Sequence, residues 1–313
     1  MTDSLFESNG GRCLTSNHYT CGEGGRATSA TILLRDNEFR CRSKHVRLAW
    51  PRCNDTSVTL HRNSFHHNSF HHNNFYAAVE LYLPNVPMIR VIENTFVELQ
   101  GGALSLNLGA VDGVYSVVVD DNVFRAVGSE FLKFVVSVDC SAIDAARFPN
   151  VSLTRNDFYF NQASATVVTS CAGLFLTENV FVNPLATRDY VVRVPYEHSS
   201  TMFARLNYWN ASTYDEIAER VYDYSDDEFR ALVQVSPWYI DLNRTQTASG
   251  GNRFFKGPFE IGGLLESDVT LSSTEQPYRV TQNIFVPHGR TLVIEAGVTL
   301  LFIRGGITVE GEC

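Results

Sequence analysis

The chain has 313 residues, 44% hydrophobic and 19% charged, with 25 Lys and Arg against 34 Asp and Glu and a net charge of −9. That much apolar surface excludes a mainly disordered state, and 21 Gly without a triplet period exclude collagen. An acidic chain is poorly suited to polyanions, which argues against nucleic acid and anionic membrane surfaces as partners. Residues 1–9 lack the basic and apolar regions of a secretory leader, and no apolar run reaches the ~18 residues of a membrane span. The nearest, 291–309, carries Glu295 and Arg304.

One pattern recurs along the first two thirds of the chain: alternating apolar residues, a polar turn, then Asn-x-aromatic. Its copies carry Asn37 and Phe39, Asn63 and Phe65, Asn94 and Phe96, Asn122 and Phe124, Asn156 and Phe158, Asn179 and Phe181, and Asn207 and Trp209. Residues 4–6 look like the tail of an earlier copy. The intervals between successive aromatics are 26, 31, 28, 34, 23 and 28, averaging about 28. A second apolar segment of period 2 follows in most copies, at 77–83, 103–108, 131–136 and 190–194, and reads as strand. Leucine-rich repeats would need a leucine-dense consensus, and propeller blades are longer. Short parallel strands on turns of about 28 residues therefore predict an all-β, right-handed parallel β-helix of about seven coils. Equivalent residues then stack in ladders ~4.8 Å apart. The Phe ladder is expected inside. The Asn is expected at the bend, where it tolerates the left-handed region and can bond the Asn of the next coil.

The same geometry bears on the seven cysteines, whose spacing fits no zinc signature. Cys140 and Cys171 are one coil apart and in register, which predicts a disulfide. Cys21 and Cys53 are also in register, which would leave Cys13 to Cys41; the alternative is two local loops, Cys13–Cys21 and Cys41–Cys53. Six paired cysteines argue for an extracellular setting, with Cys313 expected to find its partner beyond these residues. Four sequons, at Asn54, Asn150, Asn210 and Asn243, point the same way.

After Trp209 the pattern changes. Residues 211–222 read as a short helix, with Ser212 or Thr213 as N-cap and Asp215 and Glu216 in the first turn. A strand at 231–235 follows. The expected organisation is 1–240 as one β-helix with its closing segment, 241–266 as a polar linker, and 267–313 as the opening coils of a second β-helix. The second set has its strands at 278–280, 284–286, 291–294, 298–302 and 307–309.

Three clusters invite chemistry. His61, His66, His67, His71 and His72 lie close together in sequence and suit Zn or Cu. Adjacent histidines on a strand face opposite sides, however, and a polar outer turn is the simpler reading. Asp120 and Asp121 are the one tempting pair for glycoside hydrolysis. They fall where Asp36, Glu93 and Glu178 fall in other coils, which favours turn chemistry. Arg35, Arg62 and Arg155 recur beside the Asn and read as structural for the same reason. No cofactor is expected.

Asn207-Tyr208-Trp209, then Asp215-Glu216-Ile217, Arg220-Val221 and Ser236-Pro237-Trp238, resemble the closing segment of β-helix domains in the pectin-lyase-like superfamily. Residues 278–298 resemble the start of such domains in the bark beetle (Anakonda) family, large animal transmembrane proteins of tricellular junctions. The resemblance spans the chain at the level of fold and is specific over 203–311. It implies a non-catalytic extracellular module for adhesion or junction organisation. Its partners would be proteins at the cell surface, further domains of the same polypeptide, and glycans, with a membrane reached only through other regions. The competing expectation is a carbohydrate-binding or carbohydrate-active β-helix, a polysaccharide lyase or hydrolase.

Overall fold

A computed structural model describes residues 5–8, 14–17, 30–41, 46–49, 56–66, 77–82, 86–109, 116–129, 132–141, 143, 150–195, 201–227, 229–249, 254–257, 259–265, 267–273, 276–303 and 305–309. Three long parallel sheets wind around one axis. The first runs from Ala30–Arg35 to Leu232–Gln234, the second from Leu5–Ser8 to Val180–Val182, and the third from Leu14–Asn17 to Val221–Tyr222. Each coil adds one strand to each sheet in turn, so strands next in space are about one repeat apart in sequence. This is the right-handed parallel β-helix that the repeat predicts.

Alternation sets the inside. In Met88–Ile92 the side chains of Ile89 and Val91 are buried and Arg90 is exposed. Because the coils are in register, the same rows stay buried from coil to coil. Phe39, Phe65, Phe96, Phe124, Phe158 and Phe181 pair Cα to Cα along the second sheet. Their rings stack at 4.7–4.9 Å, and Trp209 closes the column on Phe181 at 4.7 Å. Phe6 is in register with Phe39, as its place in an earlier copy requires.

The Asn ladder is continuous and buried. Each Asn Oδ1 accepts both the backbone N–H and the side-chain amide of the Asn one coil before, from Asn37 through Asn63, Asn94, Asn122, Asn156 and Asn179 to Asn207. The Asn is not the left-handed residue, which corrects the expectation. That conformation belongs to the residue before it: Asp36, Arg62, Glu93, Asp121, Arg155, Glu178 and Leu206, with φ of 51–58°. Its N–H donates across to the next coil, as in Asp121 N to Thr154 O at 3.2 Å, while its side chain points to solvent. The bend thus places the strained backbone on an outward residue and keeps the amide inside.

The disulfide joins Cys140 and Cys171, with Cα atoms 4.9 Å apart and a sequence separation of 31. A crosslink over that interval stabilises by about 3–4 kcal/mol, mainly through the unfolded chain. Reduction is therefore expected to lower the melting temperature by on the order of 10 °C. Scanning calorimetry with and without reductant checks this, and an unchanged midpoint would refute it. Cys13, Cys21, Cys53 and Cys313 lie outside the described residues. Cys41 is placed by backbone alone, at the end of Glu38–Cys41.

Three boundaries differ from expectation. The helix covers only Tyr214–Ala218, capped by Thr213 with Glu216 closing a capping box. Val221–Tyr222 instead pairs with Tyr190 and Val191 as the last strand of the third sheet, where sheet pairing outcompetes a helix too short to hold itself. The expected linker 241–266 carries structure at both ends. Thr247–Ala248 pairs antiparallel with Trp238–Tyr239, and Glu260–Leu264 is an interior strand of the second module's sheet. The expected strands 278–280 and 284–286 are one strand, Tyr278–Val286, whose register against Glu260–Leu264 shifts at a bulge. Gly262 makes that bulge possible, since its φ is 149° and a Cβ there would sit 2.7 Å from Gln282 O. In this module Tyr278 pairs with Leu300 and Ile284 with Ile307, so its turns are shorter than most turns of the first module.

Candidate functional site

The outer bend between the first and second sheets holds most of the candidate chemistry. Its outward residues form a charged strip read across coils. Arg62 Nε lies 2.7 Å from Asp36 Oδ1, and this guanidinium holds the Asp36 carboxyl below the usual carboxylate range. Arg155 pairs with both Asp120 and Asp121, at 3.2 Å from the latter. Thr154 Oγ1 donates to Asp120 Oδ1 at 2.5 Å. The tempting pair is therefore clamped by one cation and one hydroxyl of the next coil. A general acid needs a carboxyl free to approach a bound substrate, and both carboxylates of this pair are already engaged by side chains of the next coil.

His61 Nε2 lies 3.4 Å from Glu93 Oε2 at the same bend. His66 ends the strand Ser64–His66 of the second sheet, and His67, His71 and His72 lie outside the described residues. Among the described residues no three His, Cys, Asp or Glu side chains are grouped as a metal site would require. Asn150, Asn210 and Asn243 are exposed, as glycan acceptors must be; Asn54 lies outside the described residues. Asn243 sits in a tight loop where Asp241 accepts the N–H groups of Thr245 and Gln246 at 3.1 and 2.7 Å.

Two clusters escaped the sequence reading. On the outer face of the second sheet, Asp157 is half-buried beside Tyr159. Burial pushes the Asp157 carboxyl up, Arg244 pulls it down and Asp121 adds to the rise. Arg244 reaches this strip from the 238–248 hairpin, donating to Glu178 O at 2.6 Å.

The other cluster is the cap over the last coil. Asn183 Oδ1 accepts from Asn161 N and Nδ2 at 3.1 and 3.0 Å, and Asn183 Nδ2 donates to Asp189 Oδ1 at 2.9 Å. Thr166 Oγ1 donates to the same oxygen at 3.0 Å, and Arg220 Nε donates to Asp189 Oδ2 at 2.8 Å. Burial pushes the Asp189 carboxyl up against the opposing pull of Arg220. Next to it Asp223 is buried and held by backbone amides: Oδ2 accepts Val233 N at 2.7 Å and Oδ1 accepts Ser225 N at 2.9 Å. Burial raises its pKa to about 6, and Asp226, itself paired with Arg188 at 3.0 Å, adds to the rise.

The Asp223 shift has a definite sign. The folded carboxyl holds its proton more tightly than the unfolded chain does, so its contribution to stability is complete below about pH 4 and is lost as pH rises through about 6. The stability difference between wild type and Asp223→Asn, which cannot titrate, should shrink by about 2–3 kcal/mol from pH 4 to pH 7. Urea denaturation across that range checks it, and a flat difference would show that Asp223 is not the titrating group. Comparison with protein-family models, with curated proteins and with solved structures finds no match to this chain.

Proposed function

We propose that the chain is a non-catalytic extracellular structural and adhesion module, part of a large cell-junction protein of the bark beetle type. The observation that carries this reading is where the repeat's conspicuous residues go. The Asn and aromatic ladders run unbroken from coil to coil, and at the outer bend Asp36 and Asp121 are each matched by an Arg of the following coil. Both features serve a long, stiff, regular surface. The disulfide and the three exposed sequon asparagines support an oxidising, glycosylating compartment. Its partners are proteins of the cell surface or further domains of the same polypeptide.

Secreted expression in animal cells tests the reading. Endoglycosidase should reduce the mass at Asn150, Asn210 and Asn243, and beads coated with the protein should cluster or bind cell borders. An unglycosylated product, or beads that stay dispersed and unbound, would count against it. A second reading, carbohydrate binding or cleavage, is favoured by the half-buried Asp157 beside Tyr159 and Arg244. Depolymerisation of an acidic polysaccharide that Asp157→Asn abolishes would replace the first reading with this one.

A further inference from the structure

The first β-helix and the second module meet away from the chain that connects them. Tyr224 lies in the turn that closes the first module's cap, and its ring meets Phe285 edge-on, with centroids 5.8 Å apart. Its hydroxyl is 2.6 Å from Thr308 Oγ1, across 84 residues of sequence. Leu232 and Leu264 complete the cluster.

The packing of these residues is not what their own strands demand. In Tyr278–Val286 the neighbours Ile284 and Val286 point into the second module's core, so Phe285 points outward; yet it is only 1% exposed. Arg279, outward on the same strand, is exposed. Thr308 is in register with Phe285 on the next strand and shares that outward face. Leu232 is likewise beside the inward Val233, on the last strand of the first sheet, and is 4% exposed. Two outward apolar side chains are therefore buried by each other's module.

Asp223 holds the first module's half in place. One carboxylate oxygen binds the turn that carries Tyr224 and the other binds the strand that carries Leu232. We propose that Tyr224, Leu232, Phe285 and Thr308 form a clasp that fixes the two modules as one rigid body. The clasp, and not the segment that connects them, sets their angle. The hydroxyl pair and the aromatic edge give the clasp direction as well as adhesion.

Hydrogen exchange on the full chain, with small-angle scattering, tests this. Tyr224→Phe and Thr308→Val each remove one partner of the hydroxyl pair. Each should speed exchange of the 284–286 and 307–309 amides about five-fold. The double variant should be no faster than either single one. Tyr224→Ala should speed the same amides more than ten-fold and broaden the scattering distance distribution, while the 94–97 amides of the first module stay unchanged. Unchanged exchange at 284–286 in all three single variants, or additive effects in the double, would overturn the proposal. If Tyr224→Ala fails to fold, the two conservative variants still decide it.

Discussion

Asn122→Ala is expected to cost about 4–6 kcal/mol, far beyond the range of an ordinary surface change. Asn122 Oδ1 accepts from Asn94 N at 2.9 Å and Asn94 Nδ2 at 3.1 Å. Its own amide donates to Val91 O, Asp120 O and Asn156 Oδ1 at 2.8–3.0 Å. Asn94, Asn122 and Asn156 are all buried, so water cannot replace what Ala removes. Asn94 N–H loses its acceptor and Val91 O a donor, at about 1–3 kcal/mol for each that stays unsatisfied, while Asn94 Nδ2 and Asn156 Oδ1 each lose one of the bonds they make. Asn122→Asp should be no better, because a carboxylate can still accept from Asn94 but faces the oxygens of Val91 and Asn156 with nothing to donate. Asp121→Ala, one residue away and exposed, should cost within about 1 kcal/mol. Urea midpoints of the three variants check this ordering. A loss below about 2 kcal/mol for Asn122→Ala, less than two unsatisfied groups should cost, would mean that the ladder relaxes or takes in water.

The contrast between Asn122 and Asp121 also explains how much could be read from sequence. Asn-x-Phe was visible because both residues face inward, where shape and hydrogen bonding admit one solution, and the solution repeats at every coil. The left-handed residue was invisible because its side chain leaves the fold. Asp36, Arg62, Glu93 and Leu206 all serve there, each tolerating a strain of roughly 1–2 kcal/mol that the backbone ladder absorbs. The disulfide followed from coil register alone. The second Asn ladder did not, because among the described residues it has two rungs, Asn161 and Asn183. The earlier coils place Leu99 and Val127 after the same bend, so no period announces it. The cap network and the Tyr224 clasp join residues with no periodic relation at all. Asp189 to Arg220 and Tyr224 to Thr308 are tertiary choices, and composition near either partner carries no trace of the other. The expected linker failed for a related reason: strands of two residues, such as Thr247–Ala248, are too short to show alternation.

Phe124→Ala is expected to cost about 5 kcal/mol, at the upper end for a buried aromatic. The ring is fully buried between Phe96 and Phe158, at centroid distances of 4.9 and 4.7 Å and within 6° of parallel to each. Truncation removes two ring contacts as well as the transfer of one ring, and each aromatic pair adds about 0.5–1.5 kcal/mol beyond burial. Collapse cannot recover the loss. The spacing of Phe96 and Phe158 is set by backbone pairing on either side of Val123–Arg125, so neither ring can drop into the gap without breaking its own strand register. Phe124→Leu should recover more than half of the loss by refilling volume, but not the stacking. The same reasoning separates the column from its end. Trp209 ends the column on Phe181, and its buried indole N–H has no hydrogen-bond partner, so removing that group gives up no bond. Trp209→Phe should therefore cost less than Phe124→Leu, although the two changes remove the same number of side-chain carbon and nitrogen atoms. Equilibrium denaturation of the three variants measures this directly. If Trp209→Phe proves the costlier, the cap and not the stacked interior sets the stability of the first module.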